Sequence, residues 1–121
     1  MAVNLADHVL SILEKLPSNR HLRLISQMEA AVTSVPQNIA EGKGRQHQKE
    51  FIQFLSIAQG SLYEMITLSE IFRRRGLFSP GEHKVVVESG EAIDRKLNGL
   101  MNSLRGRRRM DVLPQRLEAK K

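Results

Sequence analysis

Cysteine and tryptophan are both missing from this chain of 121 residues. Without cysteine there is no disulfide framework, no thiolate zinc site and no cysteine nucleophile. Aromatic residues make up only 4% of the sequence, as four Phe and one Tyr. That is too few for the stacking platform on which most single-strand binders lay out bases. No segment approaches the roughly 18 apolar residues of a membrane span. The opening stretch, "MAVNLADHVLSILEKL", is interrupted by Asp7, Glu14 and Lys15, so it lacks the basic start and clean apolar run of a secretory signal. The expectation is a soluble, cytoplasmic chain with no membrane partner.

The constellations that carry chemistry are equally scarce. The sequence "GKG" at 42–44 follows a helical pattern and lacks the spacing of a phosphate-cradling loop, and no third glycine or βαβ unit supports a dinucleotide fingerprint. His8, His21, His47 and His83 are scattered with no i, i+3 or i+4 partner, and no Glu has a His three places on, as a di-iron bundle requires. No G-x-S-x-G elbow occurs. The sequence therefore predicts no enzyme, no catalytic residue, no metal and no cofactor.

What is present is helical periodicity. Leu5, Val9, Ile12 and Leu16 step by fours and threes, with Asn4 and Asp7 placed as an N-cap and its reciprocal partner, and Pro17 stops the run. A second stripe, Ile25, Met28, Val32, Val35 and Ile39, follows a cap at Ser18 or Asn19; Pro36 should kink or restart that helix, with Ser34 capping the restart. Gly42 and Gly44 are its expected left-handed terminators. The third helix is predicted from about Gln46 to Arg75, with Phe51, Leu55, Ala58, Leu62, Met65 and Phe72 on one line and Phe54, Ile57, Leu68 and Ile71 on a second. Apolar positions cover so much of its circumference that a central place in the bundle, or a share in an oligomer interface, is expected. "SPGE" at 79–82 opens the fourth, whose stripe is Val86, Gly90, Ile93, Leu97, Leu100 and Leu104. Gly60 and Gly90 suggest close approach of backbones. Alternating steps of three and four specify an all-α, antiparallel, left-handed four-helix bundle.

Charge divides the chain. The net charge is +6, but seven of the 19 Lys and Arg residues lie in 105–121 with only two of the 13 acids, which leaves 1–104 nearly neutral. The expected organisation is a bundle over 1–104 and a flexible basic tail over 105–121, with Gly106 ending the last helix. Arg105, Arg107, Arg108 and Arg109 in the tail, Arg73, Arg74 and Arg75 at the end of the third helix, and Lys43 and Arg45 at the corner are the candidate nucleic-acid contacts. With Phe51, Phe54 and Phe72 on packing stripes, only Tyr63 and Phe78 remain for base stacking. Recognition is therefore expected through the phosphate backbone of structured RNA or DNA. At the corner, Asn38, Glu41, Arg45 and Glu50 are expected to satisfy the free groups of the two helix ends.

The blocks "SVPQNIAEGKGR" at 34–45 and "KEFIQFLSIAQGSLYE" at 49–64 resemble the bacterial four-helix-bundle family of proteins encoded in intervening sequences of 23S rRNA genes. Weaker agreement extends the similarity to about residues 16–104. The resemblance implies a compact bundle assembled as a ring-like homopentamer, without known catalytic activity and with ribosome or RNA association. It also implies a relation to accessory proteins of diversity-generating retroelements, which bind a reverse transcriptase and nucleic acid. A protein-interaction scaffold, partnered by such a reverse transcriptase, is thus the alternative to direct RNA binding.

Overall fold

In the computed structural model the chain forms four helices, α1 (Ala2–Glu14), α2 (Leu22–Lys43), α3 (Gln48–Arg74) and α4 (Pro80–Lys120). Residues 1–17 and 19–120 are described, with side chains described through residue 106. There is no strand among the described residues, and the architecture is a four-helix bundle. α1 packs on α2 and α4, and α3 on α2 and α4, with α1 and α3 making no contact. The helices therefore sit at the corners of a square, and α3 is not its centre. Its surplus apolar residues, Ile57 and Ile71, face outward, 52% and 38% exposed.

The expected stripes form the core. Val9, Met28, Val32, Leu55, Leu62, Met65, Phe72, Val86, Ile93 and Leu97 are all buried. On α4 the stripe shifts by one at its end, since Met101 is buried where Leu100 is only partly so. Removing side chains of this size from water supplies about 1.5–3 kcal/mol each. No helix among the described residues is long and apolar enough to cross a membrane.

Helix ends depart from the sequence rules more than helix faces do. α1 starts at Ala2 with Met1 as N-cap and no side-chain cap, so Asn4 and Asp7 lie inside it. α2 starts later than expected: its N-cap is His21, at φ 56 and ψ 32 in the left-handed region, again without a side-chain bond. Asn19 precedes that cap, and Ser18 lies outside the described residues. Pro36 neither ends nor restarts α2, which continues from Leu22 to Lys43 around it. Packing of Val32 and Val35 against the core holds the helix across the one missing hydrogen bond.

Two expected terminators have other roles. Gly44 caps α2 at φ −79, in the right-handed region, and its N–H donates to the carbonyls of Ala40 and Glu41. Gly42 is buried within the helix, where a Cβ would lie 2.7 Å from Phe51 Cδ1 and 3.0 Å from Phe54 Cβ. Its value is the space it leaves. Gly90 is used in the same way, with Ile66 Cδ1 at 3.0 Å from the Cβ position, whereas at Gly60 that position is open. The true left-handed stop is Gly76, φ 75, which ends α3. There Leu77 N–H donates to the Phe72 carbonyl (2.8 Å) and Gly76 N–H to that of Arg73 (3.1 Å), the two bonds of a Schellman closure. Gly106 does not stop α4, which runs on to Lys120; a helix accommodates Gly at about 1 kcal/mol unless the chain turns left-handed there.

The "SPGE" opening of α4 behaves as its sequence specifies. Glu82 N–H donates to Ser79 Oγ (3.0 Å) and Ser79 N–H to Glu82 Oε1 (2.8 Å), a reciprocal capping box.

Gly42→Ala should lower stability by about 1–3 kcal/mol through overpacking against Phe51, despite the better helix propensity of Ala. Gly99→Ala, where nothing lies within 4 Å of the added Cβ, should raise stability by up to about 1 kcal/mol. Urea unfolding of the two variants, with opposite displacement of their midpoints, checks both.

Candidate nucleic-acid interface

Polar contacts between α3 and α4 set which charges share a surface. Tyr63 OH and Gln59 Nε2 both donate to Asp94 Oδ1, each at 2.8 Å. Gln59 Nε2 also donates to Asn98 Oδ1 (2.8 Å), and Ser56 Oγ to Met101 Sδ (3.6 Å). Each step up α4 is a step down α3, so the two run antiparallel. One turn past Met101, Arg105 is level with the opening turns of α3. Lys49 lies in those turns, and Lys43 and Arg45 stand just before them at the α2–α3 corner. Lys96 shares a groove with Lys43. One end of the bundle therefore gathers Lys43, Arg45, Lys49 and Arg105, while Lys96, level with Gln59 and Tyr63, lies opposite the middle of α3.

The corner that carries Arg45 is closed by backbone, with Arg45 N–H donating to the Gly42 carbonyl at 3.1 Å. Of the polar side chains expected to cap it, Arg45 and Glu41 pair with each other and Asn38 bonds Ser34. Arg45 donates to Glu41 Oε2 (3.2 Å) and stacks over the Phe54 ring at 4.8 Å. Asn38 Nδ2 donates to the carbonyl and to the Oγ of Ser34, and Ser34 Oγ meets Ser61 Oγ on α3 at 2.7 Å. Ser34 thus fastens α2 to α3 rather than capping a restarted helix. Arg45 is oriented by these contacts, while Lys43, Lys49, Lys96 and Arg105 make no ion pair among the described residues.

Arg73, Arg74 and Arg75 lie at the other end. α3 has 27 residues, so about 40 Å separates them from the corner cluster. Arg73 and Arg74 are also engaged: Glu70 Oε1 accepts from Arg73 Nη2 (2.6 Å) and from Arg74 Nε (2.9 Å). Bonds first from Arg73 and then from Arg74 hold the Glu70 carboxyl down at about 2, against an ordinary 4.5. Arg75 has no ion pair among the described residues. Six of the nine sequence candidates therefore fall into two sets at opposite ends, and the side chains of the other three, Arg107, Arg108 and Arg109, lie outside the described residues. Phe78 is excluded as a stacking residue because it is buried against Phe72, ring centroids 4.9 Å apart at 68°. Tyr63 remains 48% exposed.

Sequence reasoning missed one constellation. Ser69 Oγ lies 2.7 Å from His83 Nδ1, and His83 Nε2 lies 3.0 Å from Glu70 Oε2. These are the residue types of a hydrolytic triad, brought together across the α3–α4 turn. Ser69 is fully buried, 0% exposed, so its oxygen has no approach for a substrate. The group is a strut joining the last turns of α3 to the first of α4. No spacing rule finds it, because His83 comes from the next helix.

A bundle with a Pro-bearing α2, a tight Gly corner and a long α3 can now be compared with known proteins. The family described as 23S rRNA-intervening sequence protein matches residues 1–99. The chain belongs to that family. Among curated proteins, none matches it. The family match spans α1, α2, α3 and α4 as far as Gly99, short of the buried Met101 and Leu104.

The Glu70 pairing has a definite pH dependence. A carboxyl held below its unfolded value stabilises the fold fully above about 4.5, and that contribution is lost as pH falls through about 2. In a carbon-13 titration the Glu70 carboxyl should show a midpoint near 2, returning toward 4.5 in the Arg73→Gln, Arg74→Gln double variant.

Proposed function

We propose that this protein is a non-enzymatic, cytoplasmic nucleic-acid-binding bundle that holds structured RNA by its phosphate backbone. The observation that carries the reading is the cationic end built from Lys43, Arg45, Lys49 and Arg105. The basic run of Arg107, Arg108 and Arg109 follows directly in sequence. Several long cationic side chains on one rigid end, with a single exposed aromatic residue elsewhere, suit phosphates and not bases. The family's description, which refers to intervening sequences of 23S rRNA, agrees with RNA as the polyanion. Arg73 and Arg74 contribute less, because each already serves Glu70.

Self-association accompanies this reading. The outward face of α3 carries Ile57, Gly60, Glu64, Thr67 and Ile71 at alternating steps of three and four, the spacing of a helix-packing seam. Ile57 and Ile71 are exposed, and nothing lies within 4 Å of a Cβ at Gly60. A second copy seated there would account for apolar side chains and a glycine that the single chain leaves unused. A homopentameric ring, as the resemblance implies, would repeat the cationic end on one side and add avidity. The same seam favours the second reading, a scaffold that docks a protein such as a reverse transcriptase of a diversity-generating retroelement.

A gel-shift titration on a structured RNA hairpin across a salt series tests the main reading. Replacing Lys43, Lys49 and Arg105 together by Glu should weaken binding at least about tenfold and flatten the salt slope by about 3. Arg75→Glu should change neither. Equal salt slopes for the triple variant and the parent protein would remove the proposed site. Light scattering tests assembly separately: Gly60→Arg should leave helicity intact and reduce the particle mass.

A further inference from the structure

Arg45 is held differently from the other cations at its end of the bundle. Lys43, Lys49 and Arg105 make no ion pair among the described residues. Arg45 instead donates Nη2 to Glu41 Oε2 at 3.2 Å and lies over the Phe54 ring at 4.8 Å. The carboxylate offsets its charge, as Glu70 does for Arg73 and Arg74 at the far end, so Arg45 adds less than its neighbours to the attraction for phosphates. What the two contacts provide is a guanidinium held as an oriented plane. Glu41 Oε1 has no hydrogen-bond partner among the described residues.

Beside this pair lies a hollow of about 410 Å³, lined by Ala40, Glu41, Gly44 and Arg45, a size that suits a small ligand group. Phe54 is not part of the lining, so the guanidinium has the ring on one side and the hollow on the other. Gly44 keeps the hollow open. Its φ of −79 is one that any residue adopts, and a Cβ there would meet only the carbonyl oxygens of Glu41 at 3.5 Å and Ala40 at 3.9 Å, ordinary contacts. Neither backbone nor packing demands glycine at 44, whereas a longer side chain would occupy the hollow.

We infer that this hollow receives one unpaired base of the bound RNA, stacked on the Arg45 guanidinium and donating its exocyclic amine to Glu41 Oε1. Bases stack on guanidinium planes as they do on aromatic rings, and a carboxylate is the acceptor that suits an amino group such as cytosine N4. Glu41 would repel a phosphate placed there. Cytosine, adenine and guanine carry the amine and uracil does not. The inference rests on the nucleic-acid reading and goes beyond it, adding one base contact to the phosphate contacts of Lys43, Lys49 and Arg105.

The test uses the full chain and three RNA hairpins that differ only in one bulged nucleotide, which is cytidine, uridine or an abasic site. In gel-shift titrations the cytidine hairpin should bind about tenfold tighter than the abasic one, with uridine between them. Gly44→Leu, which fills the hollow, should bring the three affinities together and leave the salt slope and the circular dichroism spectrum unchanged. Arg45→Lys keeps the charge without the plane and should remove the preference for cytidine over the abasic site. Equal affinity of the parent protein for the three hairpins, with a steep salt slope, would overturn the inference and leave the backbone reading standing. Binding of none of them at low salt would remove both. A cytidine preference that survives Gly44→Leu and Arg45→Lys would also overturn it, by placing the base elsewhere, and uridine bound as tightly as cytidine would overturn the role given to Glu41.

Discussion

The close passage of Gly42 over the ring of Phe51 and the Cβ of Phe54 is the contact on which the arrangement of this protein depends. It sits beside the α2–α3 corner, and it sets how near these two helices can come as they leave the turn. From there Ser34 and Ser61 meet further along, and the apolar seam of α2 lies against that of α3. The alignment that follows fixes the level of α4, because Gln59, Tyr63 and Ser56 have their partners on it. A corner with no room for a methyl group thus determines which cations end up side by side.

The separation of the basic residues is the functional consequence. A sequence lists Lys43, Arg45, Arg73, Arg74, Arg75 and Arg105 as one population, but long antiparallel helices sort them by the direction in which each helix ends. The positive charge at the C-terminal ends of α2 and α3 also suits their helix dipoles. At the α3 end, Glu70 engages two of the three arginines, and the cluster becomes part of the joint between α3 and α4. At the α2 end the lysines have no acid partner, so their charge faces outward.

Helix faces were legible in the sequence because burial repeats with the helical period: Leu55, Ala58, Leu62, Met65 and Phe72 are fully buried along the expected line. The capping box of α4 was legible because Ser79 and Glu82 act within one turn. Other readings failed where the deciding neighbour is distant in sequence. A glycine used for space, such as Gly42, looks the same as one used for a left-handed turn, such as Gly76, until the packing helix is known. Asn4 and Asp7 have cap chemistry, yet the chain is already helical before them. Phe78 looked available because it lies off the packing stripes, whereas the Schellman closure returns it to Phe72. The pairing of Ser69 with His83 joins two helices and leaves no local pattern.

α1 is the least embedded of the four helices, which sets it apart thermodynamically from the rest. α1 buries Leu5, Val9, Ile12 and Leu13, but it shares less surface with its two neighbours than any other helix does and lacks a side-chain cap at its start. Subglobal opening therefore has an obvious unit, in which α1 detaches while α2, α3 and α4 persist as a three-helix remnant.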